Sequence, residues 1–299
     1  MGLKKIQGNT YYIPAATNIG VYKFKDRYTL MVDTGDSNQQ ARIIAETIQG
    51  QSFMIKYIMN THNHIDHSGG NSFLQKHYPG TIIFASEDEK TFLENPYLFS
   101  MYIYGGNPVN DLSRHFGLNK KNVISSILSP GTIKINEEKF EVISLGGHSR
   151  GQIGIATRDG VFFVADALFS EEIIQKYSFP FLYDIAEQIK TYTRIEETDY
   201  EFFVLSHAKR VYNKGEIKKL IQLNRDNLNY YLDLVCDLLS QPKTREELFE
   251  EISILQELAI DLNEYYFSIS TTAAIITYLF DMGELEYQIE NGKLFFYRK

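Results

Sequence analysis

The chain has 299 residues, 43% apolar and 23% charged, values that exclude a disordered, collagen-like or disulfide-framework protein. One cysteine, Cys236, excludes an intrachain disulfide and a cysteine-based zinc finger, and fits a reducing cytoplasm. The net charge of −8 disfavours general binding to phosphate backbones.

The length suggests a core domain with one appended module. No run approaches the roughly 18–20 apolar residues that span a bilayer, so no membrane association is expected. Lys4 and Lys5 are followed by no apolar segment, and Ile6 stands where a myristoylation signal wants Ser or Thr, so neither leader is read.

The first two hundred residues alternate strand-like and helix-like signals. Val21 to Phe24 and Tyr28 to Val32 are β-rich runs around the turn Lys25-Asp26-Arg27. Ser37 then reads as a helix N-cap, with Ile43, Ile44 and Ile48 marking one face. Phe53 to Met59 is a buried strand, Ser68 to Tyr78 a helix, and Thr81 to Ala85 another strand before an acidic helix start at Ser86-Glu87-Asp88-Glu89. From Pro96 to Phe116 the pattern breaks into a stretch dense in Tyr, Phe and Met. Four strands follow, at Thr132 to Ile135, Phe140 to Leu145, Ile153 to Thr157 and Val161 to Ala165. Asp184 to Ile195 is a helix and Phe202 to Leu205 a strand, which together imply an α/β protein.

Composition shifts near Asn213-Lys214-Gly215, dividing the chain into residues 1–213 and 214–299. Glu216 to Leu239 is a long helical pattern stopped by Pro242. A capping box at Thr244 to Glu247 opens a second helix, and Ser270 to Phe280 is a third. Leu285 to Ile289 and Lys293 to Tyr297 flank Asn291-Gly292, a hairpin signal. Helix, helix, helix, hairpin is the order of a winged helix.

The chemistry concentrates at Asn60-Thr61-His62-Asn63-His64-Ile65-Asp66-His67, where three of the seven histidines fall within six residues. His62 and His64, two apart on an extended loop, can point to one side, and Asp66 and His67 can face the same hollow from the next turn. Imidazole and carboxylate are ligands for zinc, iron or manganese.

The spacing His62-x-His64-x-Asp66-His67 resembles the signature of the metallo-β-lactamase superfamily. Asp33 in Val32-Asp33-Thr34-Gly35, His148 in Gly146-Gly147-His148-Ser149, Asp166 in Val164-Ala165-Asp166-Ala167 and His207 in Leu205-Ser206-His207 are similar to its remaining motifs, in order. The resemblance implies a four-layered αββα sandwich. It also implies two divalent metal ions, zinc in the first instance with iron or manganese as alternatives. One would be held by His62, His64 and His148, the other by Asp66, His67 and His207, with Asp166 bridging. The implied nucleophile is a hydroxide shared by metals ~3.5–4 Å apart, with a pKa near ~7. Asp66 and Asp33 are assigned catalytic support, although Asp33 reads equally as a turn-capping residue.

Two departures narrow the resemblance. Asp166 stands where one branch of β-lactamases has cysteine, and His64 stands where the diiron oxygen reductases have glutamate. What remains is similar to the hydroxyacylglutathione-hydrolase type of site, shared by thioesterases, lactonases, phosphodiesterases and ribonucleases.

Tyr97, Phe99, Met101, Tyr102 and Tyr104 either roof the site or pack as ordinary core, with Gly105 and Gly106 permitting a hinge. Phe179 to Tyr183 raises the same choice. His77 reads as a surface residue, while His115 is placed at the border of the pocket.

An apolar wall favours a small ester, thioester or lactone as substrate. The alternative is a metal-dependent ribonuclease or phosphodiesterase, which would use the winged-helix tail. From residue 240 onward, however, five cations face eleven anions, and the helix Ser270 to Phe280 has no Lys or Arg. A groove-reading helix normally carries phosphate-contacting cations. The tail is therefore read as a packing, lid or dimerisation module, compatible with a homodimer. Lys209, Arg210, Lys214, Lys218 and Lys219 form the one basic cluster, either an attractor of anionic substrate or a solvated helix start. Cys236 is read as a packing residue.

Overall fold

The computed structural model describes residues 2–115 and 122–299. The side chain of His115 and the end of the aromatic stretch at Phe116 lie outside the described residues.

Two sheets form the centre. The first runs in the order β1 (Lys4–Gln7), β2 (Thr10–Ile13), β3 (Ile19–Lys23), β4 (Tyr28–Val32), β5 (Met54–Met59), β6 (Ile82–Ser86) and β7 (Ser126–Leu128). It is antiparallel up to β4 and parallel from β4 onward. The second contains β8 (Gly131–Ile135), β9 (Glu138–Ser144), β10 (Ile153–Thr157), β11 (Val161–Ala165), β12 (Phe202–Leu205) and β13 (Tyr212–Asn213), ordered from β13 to β8. There only β11 and β12 pair in parallel.

The period of two along each strand sends alternate side chains to opposite faces. In β4, Leu30 and Val32 enter the layer between the sheets, whereas Met31 faces the outer helices. In β11, Val161 and Phe163 point inward while Phe162 and Val164 point outward. Both faces are covered, which is why these strands read as continuous apolar runs. Tyr22 and Phe140, one from each sheet, meet edge to face at 5.0 Å in the inter-sheet core.

After β4 comes α1 (Asn38–Gln49), capped by Ser37, whose side chain accepts from Gln40 N. Then α2 (Ile65–Ser68) and α3 (Asn71–His77) follow β5, and α1 and α3 cover the first sheet. The sequence suggests one helix from Ser68 to Tyr78, but Gly69 and Gly70 divide it. Their backbones press against the β4–α1 turn, where an added Cβ would lie 2.2 Å from Asp36 O and 2.5 Å from Thr34 O respectively. The stretch after Pro96 is helical, as α5 (Tyr97–Tyr104) and α6 (Asn110–His115), behind α4 (Glu87–Glu94).

The second sheet is covered by α7 (Glu171–Lys176), α8 (Ile185–Glu197) and α9 (Lys214–Leu238), completing the αββα layers. Then come α10 (Arg245–Leu255), α11 (Leu262–Asp281) and a hairpin of β14 (Leu285–Glu290) with β15 (Lys293–Arg298). One apolar cluster runs from Leu145 and Phe162 through Tyr192, Leu220 and Val235 to Leu248, Ile275 and Leu285. The chain after residue 213 thus shares its core with the chain before it. Among the described residues, no helix is long and apolar enough to cross a membrane.

Candidate metal centre

Strand ends build the site. Asp33 follows β4, the segment His62 to His67 follows β5, His148 follows β9, Asp166 follows β11 and His207 follows β12. These strands run the same way within their sheets, so their C-terminal ends lie along one edge. Local backbone distortions aim two of the carboxylates. Asp33 has φ 66° and Ala165, before Asp166, has φ 53°. The β11–β12 register shifts between Phe163 and Ala165. A left-handed non-glycine residue costs about 1–2 kcal/mol, so the surrounding packing must hold this turn.

The seven residues converge as two groups sharing Asp166. His62, His64, His148 and Asp166 form one, and Asp66, His67, His207 and Asp166 the other, with ligand-type atoms all within 4.8 Å of one another in each. Asp166 Oδ2 lies 3.9 Å from His62 Nε2, 3.6 Å from His148 Nε2, and 3.4 Å from both His67 Nε2 and His207 Nε2. Asp66 Oδ2 lies 3.3 Å from His67 Nε2 and 3.2 Å from His207 Nε2, and accepts from Thr17 Oγ1 at 2.9 Å.

The donor set fits divalent cations. His62 Nε2 and Asp166 Oδ1 are buried with no hydrogen-bond partner. Lone pairs turned inward without donors, next to two carboxylates, suit transition metals. Burial, then neighbouring His67 and His64, hold His62 well below the usual imidazole range. Burial, then His148, takes His64 to about 3. Both rings are therefore neutral at pH 7, as ligation requires. Burial opposes charge on His67 and His207 too, but Asp66 and Asp166 outweigh it. They raise His67 well above its ordinary value and His207 to about 10. Without metal, these two rings carry protons where a cation would sit.

Other groups orient the rings through their second nitrogens. Asp33, buried, accepts from His67 Nδ1 at 2.8 Å, Thr61 N at 2.8 Å and Thr61 Oγ1 at 2.7 Å. It faces away from the hollow and acts through His67 as a positioning residue. Phe181 O accepts from His148 Nδ1 at 2.9 Å, and Ala16 O from His207 Nδ1 at 2.8 Å. Asn18 ties the His207 loop to the first sheet, its side chain donating to Leu205 O and Ala208 O. The sequence carries no signal for Asn18, and none for the carbonyl of Phe181 as the partner of His148, although the Phe179 to Tyr183 run reads as a candidate wall. Their roles come from backbone carbonyls and long-range loops.

A cavity of about 230 Å³ opens beside His148, its aromatic wall formed by Phe92, Phe99, Tyr102, Phe181 and Tyr183. Of the five aromatic-stretch residues, Phe99 and Tyr102 line it. Tyr97, Met101 and Tyr104 lie on the other faces of α5, and Tyr104 packs on Tyr266. Residues beyond 213 also reach the centre: the Phe267 ring of α11 lies tilted against Phe181 at 4.9 Å and His64 at 6.2 Å. Thr271 of α11 accepts from Leu182 N at 3.0 Å, next to Phe181. His77 stacks on Phe73 away from the site. In the basic cluster, Lys209, Arg210 and Lys214 pair with Glu172, Glu171 and Asp199 respectively, and Arg210 also pairs with Glu216. These pairs offset three of the cluster's five cations.

Known proteins resemble the chain in sequence over about half its length and in fold over nearly all of it. The chain is 26% identical over 143 residues to a hydroxyacylglutathione hydrolase of Photobacterium profundum, covering 48% of this chain and 43% of that protein. It is 27% identical over 145 residues to one of Xanthomonas axonopodis, covering 48% and 44%. The chain thus spans less than half the length of these relatives. Among solved structures, a metallo-beta-lactamase family protein from Thermus thermophilus superposes with a TM-score of 0.76 at 18% identity, covering 97% of this chain and 99% of that one. A beta-lactamase domain protein from Burkholderia ambifaria gives 0.73 at 16% identity, covering 99% and 93%. The family model described as the metallo-beta-lactamase superfamily matches residues 12–207, from the first strands through the last of the seven converging residues, and the chain belongs to that superfamily.

Proposed function

We propose that the protein is a binuclear metal-dependent hydrolase acting on a small ester, thioester or lactone. The observation that carries this reading is Asp166 Oδ2, which lies within 3.9 Å of His62, His67, His148 and His207, a position suited to bridging two cations. When bound, two divalent ions, zinc in the first instance, would supply an acidified water and polarise the substrate carbonyl. His62, His64 and His148 would hold the first ion, Asp66, His67 and His207 the second. The cavity beside His148 offers aromatic surface to an acyl group. The hydroxyacylglutathione hydrolases among the relatives favour a thioester within this class.

The second reading is a ribonuclease or phosphodiesterase. It draws on the helix, helix, helix, hairpin order after residue 213, which is that of a winged helix. The α11 helix that would enter a groove has no Lys or Arg, so it lacks the cations such a contact requires. We assign the C-terminal region, 214–299, to packing and to walling the site. The test is a screen of zinc-loaded protein against thioesters, esters, lactones, phosphodiesters and RNA. Turnover of a carbonyl substrate supports the first reading. Cleavage confined to RNA or phosphodiesters overturns it.

A further inference from the structure

We propose that Glu89 is the positioning residue of the His62–His64–His148 half of the centre, clamping the two loops that supply those rings. The inference rests on the proposal that this half holds a metal ion. Glu89 lies in the first turn of α4 and is 1% exposed. Its Oε2 accepts from Asn63 N at 2.7 Å and Asn63 Nδ2 at 2.5 Å. Its Oε1 accepts from Ser149 Oγ at 2.5 Å and Gly151 N at 2.9 Å. Asn63 stands between His62 and His64, and Ser149 follows His148 directly. A single buried carboxylate therefore fixes the backbone on both sides of the half-site.

Asp33 holds His67 of the second half directly, and reaches His62 of the first only through Thr61 Oγ1, 3.1 Å from His62 Nδ1. A buried carboxylate thus stands behind the rings of each half, and Glu89 is the one that joins the His62–His64 loop to the His148 loop. Burying an anion is costly unless it is fully hydrogen-bonded. Four donors meet that requirement, all of them on the two ring-bearing loops. Ser86 reinforces the same junction by donating to Gly151 O at 2.7 Å. Gly151 fits only without a side chain, because a Cβ would lie 2.6 Å from Ser86 Oγ and 2.8 Å from Asp88 Cβ.

Glu89→Gln replaces one acceptor oxygen by an NH2 group that must face donors. Carboxylates in such outer positions typically change metal affinity by about 10–100-fold. The experiment is a zinc titration of the full chain in competition with a chromophoric chelator, with circular dichroism to verify folding. Wild type should bind two ions. Glu89→Gln should bind one ion about 10–100-fold more weakly and the other as before. Ser149→Ala, which removes one donor of four, should shift the same site in the same direction by less, and it serves as the test should Glu89→Gln not fold. A folded Glu89→Gln with both affinities at wild-type values overturns the clamp, as does an unshifted Ser149→Ala where Glu89→Gln fails to fold. Wild type binding no zinc would instead overturn the metal-site reading beneath it.

Discussion

Asp33→Asn separates the charge of the other buried carboxylate from its shape. The backbone at Asp33 is left-handed, and asparagine tolerates that conformation as aspartate does. The substitution therefore acts through the lost charge and its hydrogen bonds, not through backbone strain. The amide oxygen can keep the bond from Thr61 N, now 2.8 Å. The Thr61 hydroxyl can rotate to accept from the new NH2 group. His67 cannot adapt so easily: its Nδ1 now donates to Asp33 Oδ2 at 2.8 Å and would face two amide hydrogens. It must lose that bond or move its proton to Nε2, the atom that faces Asp66 and Asp166. A hydrogen bond to a charged partner contributes about 1.5–3 kcal/mol. At about 1.4 kcal/mol per decade this predicts roughly 10–100-fold weaker binding at the Asp66–His67–His207 group. The His62–His64–His148 group, which Asp33 reaches only through Thr61 Oγ1 and His62 Nδ1, should lose less. Chelator competition on the folded variant reads both sites. Two unchanged affinities, or loss confined to the wrong site, would refute the assignment of Asp33 as the orienter of His67.

Asp166→Asn should fold yet lose more turnover than the ~10–100-fold typical of an outer-position change, because it removes the carboxylate common to both groups. Steady-state rates with both metals supplied check this, and near wild-type turnover would remove Asp166 from the bridging position. Metal binding should release protons at pH 8, because His67 and His207 are raised, His207 to about 10. The release, read with an indicator dye in weak buffer, should shrink as pH passes about 10. The sign for the metal-free protein is opposite: raised pKa values stabilise the fold fully below the unfolded value of about 6.5. That contribution declines as pH rises through the folded values, so melting temperatures of metal-free protein should fall from neutral towards pH 10. Thr271→Val should leave Leu182 N, now bonded at 3.0 Å, without its acceptor and cost about 1–3 kcal/mol in thermal unfolding. Deleting residues 244–299 should impair folding or solubility, measured by expression and light scattering, because Leu248, Ile252, Ile275 and Leu279 are buried in the shared core.

The ring-bearing residues are legible in the chain because each directly follows an apolar run, and strand ends converge at a sheet edge whatever the details of packing. The spacing of His62, His64, Asp66 and His67 survives the break of the following helix at Gly69-Gly70, since all four precede it. The first hairpin, β1 with β2, is not legible. Its edge strand Lys4–Gln7 is mostly exposed and shows no apolar alternation. The pocket is half legible. Residues Tyr97 to Tyr104 are almost uniformly apolar, so no stripe marks the face that turns to His148, and only the helical geometry of α5 separates Phe99 and Tyr102 from Tyr97, Met101 and Tyr104.

Glu89 was hidden for a different reason. In sequence it is one of three acids at a helix start, where the helix dipole alone accounts for it. Its partners lie 26, 60 and 62 residues away, beyond the reach of any local pattern. The C-terminal helix shows how a correct charge argument can still miss a role. The absence of cations on α11 argues against nucleic acid, but it says nothing about what its apolar face meets. That face meets the Phe179–Tyr183 loop: Thr271 accepts from Leu182 N, and the neighbouring carbonyl of Phe181 accepts from His148 Nδ1. Two hydrogen bonds thus separate α11 from a ring of the centre. The same helix places Phe267 against Phe181 and His64. Any movement of the C-terminal region must shift a wall of the cavity and the support of His148 together, which ties this region to the candidate metal centre by packing rather than by charge.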